Sequence, residues 1–331
     1  MYLQGCSKVA ALRYDSDINE WEKHMRPLEG RKKRFGDRCD GYRVRNLDPM
    51  TMIEPYFMRT NSDSWVLFED DIEISRTQEF LQRVRKEEMP GLTLYQVVFA
   101  AMVRTIAEIP ELNRFIVNRR VYARNEIKAS MVVMKEMKRD AERSVITPKF
   151  EMEDTLKEVA AKVQEQANPI KEKDEENKAK NSTEWLERLL CKLPGWLLKI
   201  VVGLIFFLDN RGWLPKKIID MSPFHSSFFI TNMGSLGIAP VYHHIYEIGT
   251  VSMFGAIGSK EVRYELDKDG NSVRKLYLKL RFVVDERAAD GLLFAEGFRL
   301  MRKYISKPEL LMEVSKNIKH DVIDRPEKQK K

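Results

Sequence analysis

The chain has 331 residues, of which 43% are apolar and 10% aromatic, enough for a substantial core. This composition excludes wholesale disorder and collagen-like repeats. The net charge of +7, from 57 Lys and Arg against 50 Asp and Glu, is mildly basic, and acidic residues are interleaved almost throughout. We therefore expect no nucleic-acid partner.

The cysteines and the first residues bear on cellular location. The three cysteines, Cys6, Cys39 and Cys191, are too scattered for a disulfide framework. They also lack the C-x-x-C spacing of a structural zinc site. The opening MYLQGCSKVA has neither the basic start nor the long apolar stretch of a signal peptide. These features indicate a reduced, cytoplasmic protein.

Composition shifts divide the chain into three parts. Polar sequence interrupted by Gly and Pro predicts an irregular basic lead-in over residues 1–46. One domain follows at 47–320, and a basic tail at 321–331. By charge alone, the clusters at 26–38 and 325–331 suit nucleic acid, anionic lipid or a coenzyme phosphate. Solvated termini are the simpler interpretation.

Hydrophobic periodicity predicts alternating helices and strands. Phe80, Leu81 and Val84 form the apolar face of one helix, and the helix after it is apolar on most sides, so it should be buried. The DKDGN sequence at 267–271 predicts a hairpin turn, and the charged stretch 171–180 an exposed linker or helix end. The predicted helices are 76–88, 93–109, 155–167 and 288–305, and the predicted strands are 64–74, 114–117, 127–134, 227–231, 250–257 and 277–284.

An apolar segment at 185–219 interrupts this pattern. Its longest uninterrupted apolar run, 200–208, falls well short of the ~20 residues that cross a bilayer. Its tryptophans and flanking lysines suit a helix lying in a membrane interface. They equally suit a helical insertion packed on its own domain or on a neighbouring subunit, which is the favoured interpretation. Cys191 lies in this apolar pattern and is predicted to be a core residue.

Two stretches are specific enough to suggest a family. VVDERAADGLL at 283–293 and FFITNMGSLGI at 228–238 resemble the catalytic domain shared by chloramphenicol acetyltransferase and the acyltransferase component of 2-oxo acid dehydrogenase complexes. The stretch 91–116, a buried helix followed by a Pro-x-x-Asn turn, is also similar. The resemblance implies an α/β fold, a mixed sheet flanked by helices, here with a helical insertion. Since no lipoyl segment precedes the match, we expect a stand-alone member.

The resemblance also implies a chemistry. In this family a histidine at a strand end takes a proton from a thiol or hydroxyl, and a hydroxyl on another strand stabilises the oxyanion of the attacked thioester. The hydroxyl maps to Thr231, and the aspartate that holds the site through a salt bridge maps to Asp290. Arg287 matches the family's arginine, and Gly291 permits a tight turn. Glu286 stands where the family has its histidine.

Because Glu286 replaces the family's histidine, the resemblance does not identify the general base of this chain. The pKa of a thiol, about 8.5, lies about 4 units above that of a glutamate but only about 2 units above that of a histidine. Proton transfer from a thiol to glutamate is therefore roughly 3 kcal/mol less favourable than transfer to histidine. Glu286 could therefore serve only in a dry site. The alternative base is His243 or His244, in the loop between the two site strands, with Glu286 or Tyr242 as the candidate hydrogen-bond partner. His225 lies nearby in sequence. Ordinary loop or interface histidines remain the simpler interpretation.

The remaining candidates line the turn after the second motif. Asn232, Gly234 and Ser235 are assigned to substrate binding, together with Arg287 and Gly291, and Asn232 and Gly234 also shape the turn. The chain has no Gly-x-Gly-x-x-Gly, His-Glu-x-x-His or Gly-x-Ser-x-Gly sequence, which argues against nucleotide-binding, zinc-protease and α/β-hydrolase classes.

The resemblance therefore implies an acyltransferase that uses acyl-coenzyme A or an acyl carrier protein as co-substrate, without a bound cofactor or metal. It would work as a homotrimer, with a channel for the acyl-pantetheine arm at each interface. The alternative is a catalytically inactive member that binds acyl thioesters or acts as a scaffold. In either case the segment 185–219 could provide peripheral membrane contact.

Overall fold

The computed structural model describes residues 32–134, 143–171 and 191–324. Residues 172–180 of the predicted linker, Cys6, Trp185 and the cluster at 325–331 lie outside them. The helices are α1 (Pro49–Phe57), α2 (Ser75–Glu87), α3 (Leu94–Glu108), α4 (Leu156–Lys171), α5 (Gly195–Arg211), α6 (Lys216–Met221) and α7 (Gly291–Ser306). The strands are β1 (Gly41–Arg43), β2 (Trp65–Glu73), β3 (Arg114–Val117), β4 (Arg120–Arg124), β5 (Ile127–Met134), β6 (Arg143–Ile146), β7 (Lys149–Phe150), β8 (Phe228–Asn232), β9 (Met253–Leu266) and β10 (Ser272–Asp285).

A mixed sheet of seven strands forms the centre of the molecule. Its strands run in the order β2-β10-β9-β8-β5-β6, and β7 pairs with β5. The pairs β5–β8 and β8–β9 are parallel, whereas the other pairs are antiparallel. A smaller sheet has the order β1-β4-β3. The predicted α/β class, a mixed sheet flanked by helices, is confirmed.

The two faces of the large sheet are covered differently. Phe228, Ile230 and Phe282 belong to the main core, which the helices complete. Because successive strand residues point to opposite faces, Phe229 and Val283 face the other way and join a separate small cluster. Helix α3 is buried along almost its whole length, as its sequence predicts. The second face therefore carries only a thin cover, and the candidate site lies there.

Packed residues continue past both predicted domain boundaries. Tyr42 and Val44, assigned to the irregular lead-in, lie in a buried cluster, and β1 pairs with β4. Ile323 of the predicted tail belongs to the same cluster. Asp321 forms an ion pair with Arg114 at 2.5 Å. These contacts join residues far apart in sequence, so no local sequence pattern predicts them.

The apolar insertion forms helices, as predicted, but they pack unequally on their own domain. Within α5 only Asp209 is buried, so this helix packs little apolar surface against its own chain. Leu214 and Ile219, after it, are buried. Cys191 is exposed, and the prediction that it is a core residue is wrong, because the helix pattern around it has no facing core. Among the described residues, no helix is both long and apolar enough to cross a membrane.

Lys128 makes the free energy of unfolding vary with pH in the alkaline range. Its side chain is buried, and its Nζ donates to the carbonyls of Ile219 at 3.2 Å and Asp220 at 3.0 Å. Burial lowers its pKa to about 8. Between pH 8 and 10 the unfolded chain binds a proton that the folded chain does not, so the free energy of unfolding should rise by up to about 3 kcal/mol.

Urea unfolding at several pH values would measure this rise. Lys128→Met should remove most of the slope, whereas Lys268→Met, at an exposed lysine, should leave it unchanged. An equal slope in wild type and Lys128→Met would contradict the assignment.

Candidate functional site

The end of β10 presents Glu286 on a rigid turn. The Asp285 carboxylate accepts hydrogen bonds from Nε and Nη2 of Arg287 at 2.8 and 2.7 Å, and both side chains are 4% exposed. Arg287 Nη2 also donates to Asn61 Oδ1 at 2.5 Å. The Glu286 amide donates to the Ser64 carbonyl at 3.0 Å, while its side chain is exposed. The backbone of Glu286 is thus fixed and its carboxylate is free to meet a ligand.

Glu54 in α1 is a neighbour of Glu286 that the sequence did not reveal. Burial raises the pKa of Glu54, and the negative charges of Glu286, Asp48 and Asp290 raise it further. The carboxylates must lie close for their charges to act in this way. No motif marks position 54, so only the folded arrangement identifies it. A carboxyl group that holds its proton more firmly beside an exposed carboxylate is a candidate proton carrier.

Helix α1 also presents an apolar surface beside these carboxylates. Asp48 caps its first turn by accepting from the amides of Met50 and Thr51. Five of its large apolar side chains are exposed: Met50, Met52, Ile53, Tyr56 and Phe57. Apolar patches of this kind mark contact surfaces on soluble proteins.

Asp290 and Gly291 lie at the start of α7. Asp290 accepts from the Leu293 amide at 2.8 Å and caps α7. Within the described part of the chain no cation forms an ion pair with it; the buried salt bridge of this turn joins Arg287 to Asp285. A Cβ on Gly291 would meet open space, so the turn does not require glycine there.

The turn after β8 is held by its own hydrogen bonds. Asn232 Oδ1 accepts from the Ser235 amide at 3.2 Å, and Ser235 Oγ donates to the Asn232 carbonyl at 2.8 Å. A Cβ on Gly234 would lie 2.4 Å from the Gly258 carbonyl oxygen, so this position requires glycine. Together these residues fix where β8 ends and hold the partly exposed Thr231 beside the turn.

His243 has the geometry of a general base. It lies in the long segment that returns from the end of β8 to the start of β9, and its ring stacks on Phe254 at 4.0 Å with a 5° angle. Its Nδ1 lies 3.0 Å from the His244 carbonyl oxygen. A carbonyl only accepts, so Nδ1 carries the proton and Nε2 keeps its lone pair. Burial lowers the pKa of His243, which keeps the imidazole neutral near pH 7.

Thr231 lies on the same sheet face as His243. Phe229 stacks on Phe254 at 4.8 Å, and Thr231, two residues further along β8, points to the same side. Thr231 is in register with Ala256, two residues beyond Phe254. Strand geometry therefore places Thr231 about 8 Å from Phe254, the residue that supports His243. One chain thus carries a candidate base and a candidate oxyanion donor on the same face of the sheet.

The fold is shared with solved acyltransferase structures. A probable dihydrolipoamide acetyltransferase from Listeria monocytogenes 4b F2365 is similar at 16% identity and a TM-score of 0.50, with 80% of this chain and 95% of that chain covered. The dihydrolipoamide acetyltransferase of Azotobacter vinelandii matches at 15% identity and a TM-score of 0.49, with 81% and 93% covered. The chain has the chloramphenicol acetyltransferase-like fold. No family model and no curated protein matches it, and likeness at this identity carries the fold alone.

Within the chloramphenicol acetyltransferase-like fold, the two motif positions lie far apart in one chain. Thr231 is level with Ala256 on β9, which is level with Arg281 on β10. Glu286 lies five residues beyond Arg281. Five residues along the strand and two strands across amount to about 20 Å. A single chain therefore does not join Thr231 to Glu286.

The other histidine and tyrosine candidates have separate partners. His225 is buried, with Nδ1 2.8 Å from Ser222 Oγ and Nε2 3.3 Å from Asp209 Oδ1, so it belongs to a buried polar network. Tyr242 donates its hydroxyl to Glu69 Oε2 at 3.1 Å, not to a histidine. His244 is exposed and stacks on His243. Among the described residues, no group of His, Cys, Asp and Glu is arranged to hold a metal ion.

Proposed function

We propose that the protein transfers an acyl group from an acyl thioester, carried by coenzyme A or an acyl carrier protein, to a thiol or hydroxyl acceptor. The observation that carries this proposal is the arrangement of His243, whose Nδ1 is fixed by a carbonyl and whose Nε2 is left as an acceptor. Thr231, on the same sheet face, and the fold shared with acyltransferases support the same chemistry.

The reaction follows from these two groups. His243 Nε2 takes the proton of the acceptor, and the resulting thiolate or alkoxide attacks the thioester carbonyl. The Thr231 hydroxyl donates a hydrogen bond to the oxyanion of the tetrahedral intermediate. When the intermediate collapses, the carbon–sulfur bond breaks and the departing thiolate takes the proton from His243. His243 is thereby restored for the next cycle.

We further propose that the working unit is a homotrimer. Glu286 and Glu54 lie at the other end of the chain's own site, beside the exposed apolar side chains of α1. In the proposed trimer a neighbouring copy covers α1, places its Thr231 and His243 near these carboxylates and excludes water between them. Glu286 is then the second candidate base, or a positioning residue for the acceptor.

Release of free thiol from acyl-coenzyme A and acyl carrier protein donors, with alcohol and thiol acceptors, tests the proposal. We expect kcat/KM to fall at least about 100-fold in His243→Gln, because the proton acceptor is lost. His320→Gln, at a histidine remote from the sheet face, is the matched control. The acidic limb of the wild-type pH profile should lie below pH 6.5, because the base acts unprotonated and burial lowers its pKa.

Glu286→Gln separates the two candidate bases. Loss of turnover in Glu286→Gln with full activity in His243→Gln would move the base to Glu286 and retain acyl transfer. No thiol release with any donor, while acyl-coenzyme A still binds, would overturn the enzymatic proposal in favour of a non-catalytic acyl-thioester-binding protein.

A further inference from the structure

Helix α5 exposes a continuous apolar stripe. Trp196, Ile200, Leu204 and Phe207 are 66%, 58%, 53% and 49% exposed. Their spacings of four, four and three residues place them on one face, over about 16 Å of helix. Trp213, just after the helix, is 62% exposed. A soluble surface helix normally turns such a stripe towards its own core, so this one requires a partner outside the described chain.

Cations flank the stripe, and the one carboxylate of α5 is withdrawn from it. Asp209 is buried and pairs with Arg38 at 2.7 Å. Lys192, Lys199 and Lys217 are exposed, and no carboxylate of the described residues forms an ion pair with them. Arg211 lies over the rings of Phe207 and Trp213, at 5.1 and 5.8 Å. The surface thus combines an apolar stripe with positive charges, before and after it, that no described carboxylate neutralises.

A further exposed aromatic residue belongs to the segment that contacts the C-terminal end of α5. Arg38 donates to the Asp209 carbonyl oxygen at 2.5 Å, which fixes the segment before it against the helix. Phe35, three residues earlier, is fully exposed. The basic run Lys32-Lys33-Arg34 immediately precedes it. The basic cluster at 26–38, whose charge suits anionic lipid, thus contacts the helix that carries the stripe through Arg38.

We propose that α5 docks the protein on an anionic membrane, lying flat in the lipid interface with its stripe towards the acyl chains. Two observations favour a bilayer over a protein partner: the tryptophans at both ends of the stripe and the basic residues before and after it. The helix is too short to cross a bilayer, which is why it would lie flat in the interface. The cations would then contact lipid phosphates, each strengthening binding about fivefold near an anionic surface. This inference does not depend on the acyl-transfer proposal.

Co-sedimentation with phosphatidylcholine vesicles, with and without phosphatidylglycerol, tests the docking. Wild type should bind the anionic vesicles and release from them at high salt. The double variant Leu204→Gln/Phe207→Gln should bind at least about tenfold more weakly, since two apolar side chains are lost. The matched control is Tyr264→Gln/Leu266→Gln, because these apolar residues, near the tip of the β9–β10 hairpin, are more exposed than Leu204 and Phe207. The control should bind like wild type.

Tryptophan fluorescence locates the contact. Vesicles with brominated acyl chains should quench wild type, and Trp196→Phe/Trp213→Phe should lose most of that quenching while still binding. Absence of wild-type binding to anionic vesicles, or unchanged binding by the double variant, would overturn the proposal. So would a wild-type oligomer, measured without lipid, that the double variant breaks into smaller species, because a second copy would then cover α5. All the substituted residues are exposed, so the variants should fold.

Discussion

Arg38→Met is expected to lower the free energy of unfolding by about 3–5 kcal/mol, the usual cost of leaving a buried charge without its partner. The Arg38 side chain is 2% exposed. Its guanidinium donates to both oxygens of Asp40, at 2.8 and 3.2 Å, and to Asp209 Oδ1 at 2.7 Å. Methionine fills a similar volume but donates nothing, so the two buried carboxylates would lose the guanidinium that they share.

The loss should also depend on pH. Burial acts to raise the pKa of Asp209, but the hydrogen bond and charge of His225, together with Arg38, hold it below its ordinary value. Without Arg38 the burial effect gains weight, and protonation removes the buried charge. The stability difference between wild type and variant should therefore be smaller at pH 4 than at pH 7.

Urea unfolding at both pH values measures this prediction. Arg76→Met is the matched control, because the side chain of Arg76 is 61% exposed in its ion pair with Glu309, and such pairs contribute less than about 1 kcal/mol. An Arg38→Met variant no less stable than the control would show that the network does not stabilise the fold.

Helices and strands with clear local sequence signals, such as caps, prolines and apolar periodicity, were predicted correctly. The helix expected at 93–109 is observed at Leu94–Glu108, because Thr93 and Gln96 form a capping box and Pro110 follows. The strand expected at 64–74 is Trp65–Glu73. By contrast, α1 was missed, since Pro49 and Pro55 suggest a break. Strands β1 and β4 were missed because each is stabilised by pairing with a distant segment.

The same contrast between local signals and long-range contacts explains which parts of the candidate site could be predicted. The motifs identified Thr231 and Glu286, but only strand register places them about 20 Å apart. The three histidines near one another in sequence separate in space: His225 is buried with Asp209, whereas His243 stacks on Phe254. Sequence proximity could not distinguish them, because the difference depends on how the segment after β8 crosses the sheet.

That crossing segment depends on Gly249, and Gly249→Ala is expected to lower the free energy of unfolding by about 3–4 kcal/mol. Gly249 has φ +89°, where a side chain costs about 1–2 kcal/mol. A Cβ there would lie 2.2 Å from the Phe224 carbonyl oxygen, which accepts from the amides of Thr250 and Val251. Moving that carbonyl weakens two hydrogen bonds, at about 1 kcal/mol each.

Gly237→Ala isolates the clash from the backbone strain. Gly237 has φ +73°, yet a Cβ on it meets nothing within 4 Å, so only the cost of the left-handed conformation should appear. Equal destabilisation of the two variants would contradict the clash with Phe224. Because Gly249 anchors the segment that carries His243, the proposed thiol release should fall in Gly249→Ala even at temperatures where the variant remains folded. A stability loss without that fall would place the base outside this segment.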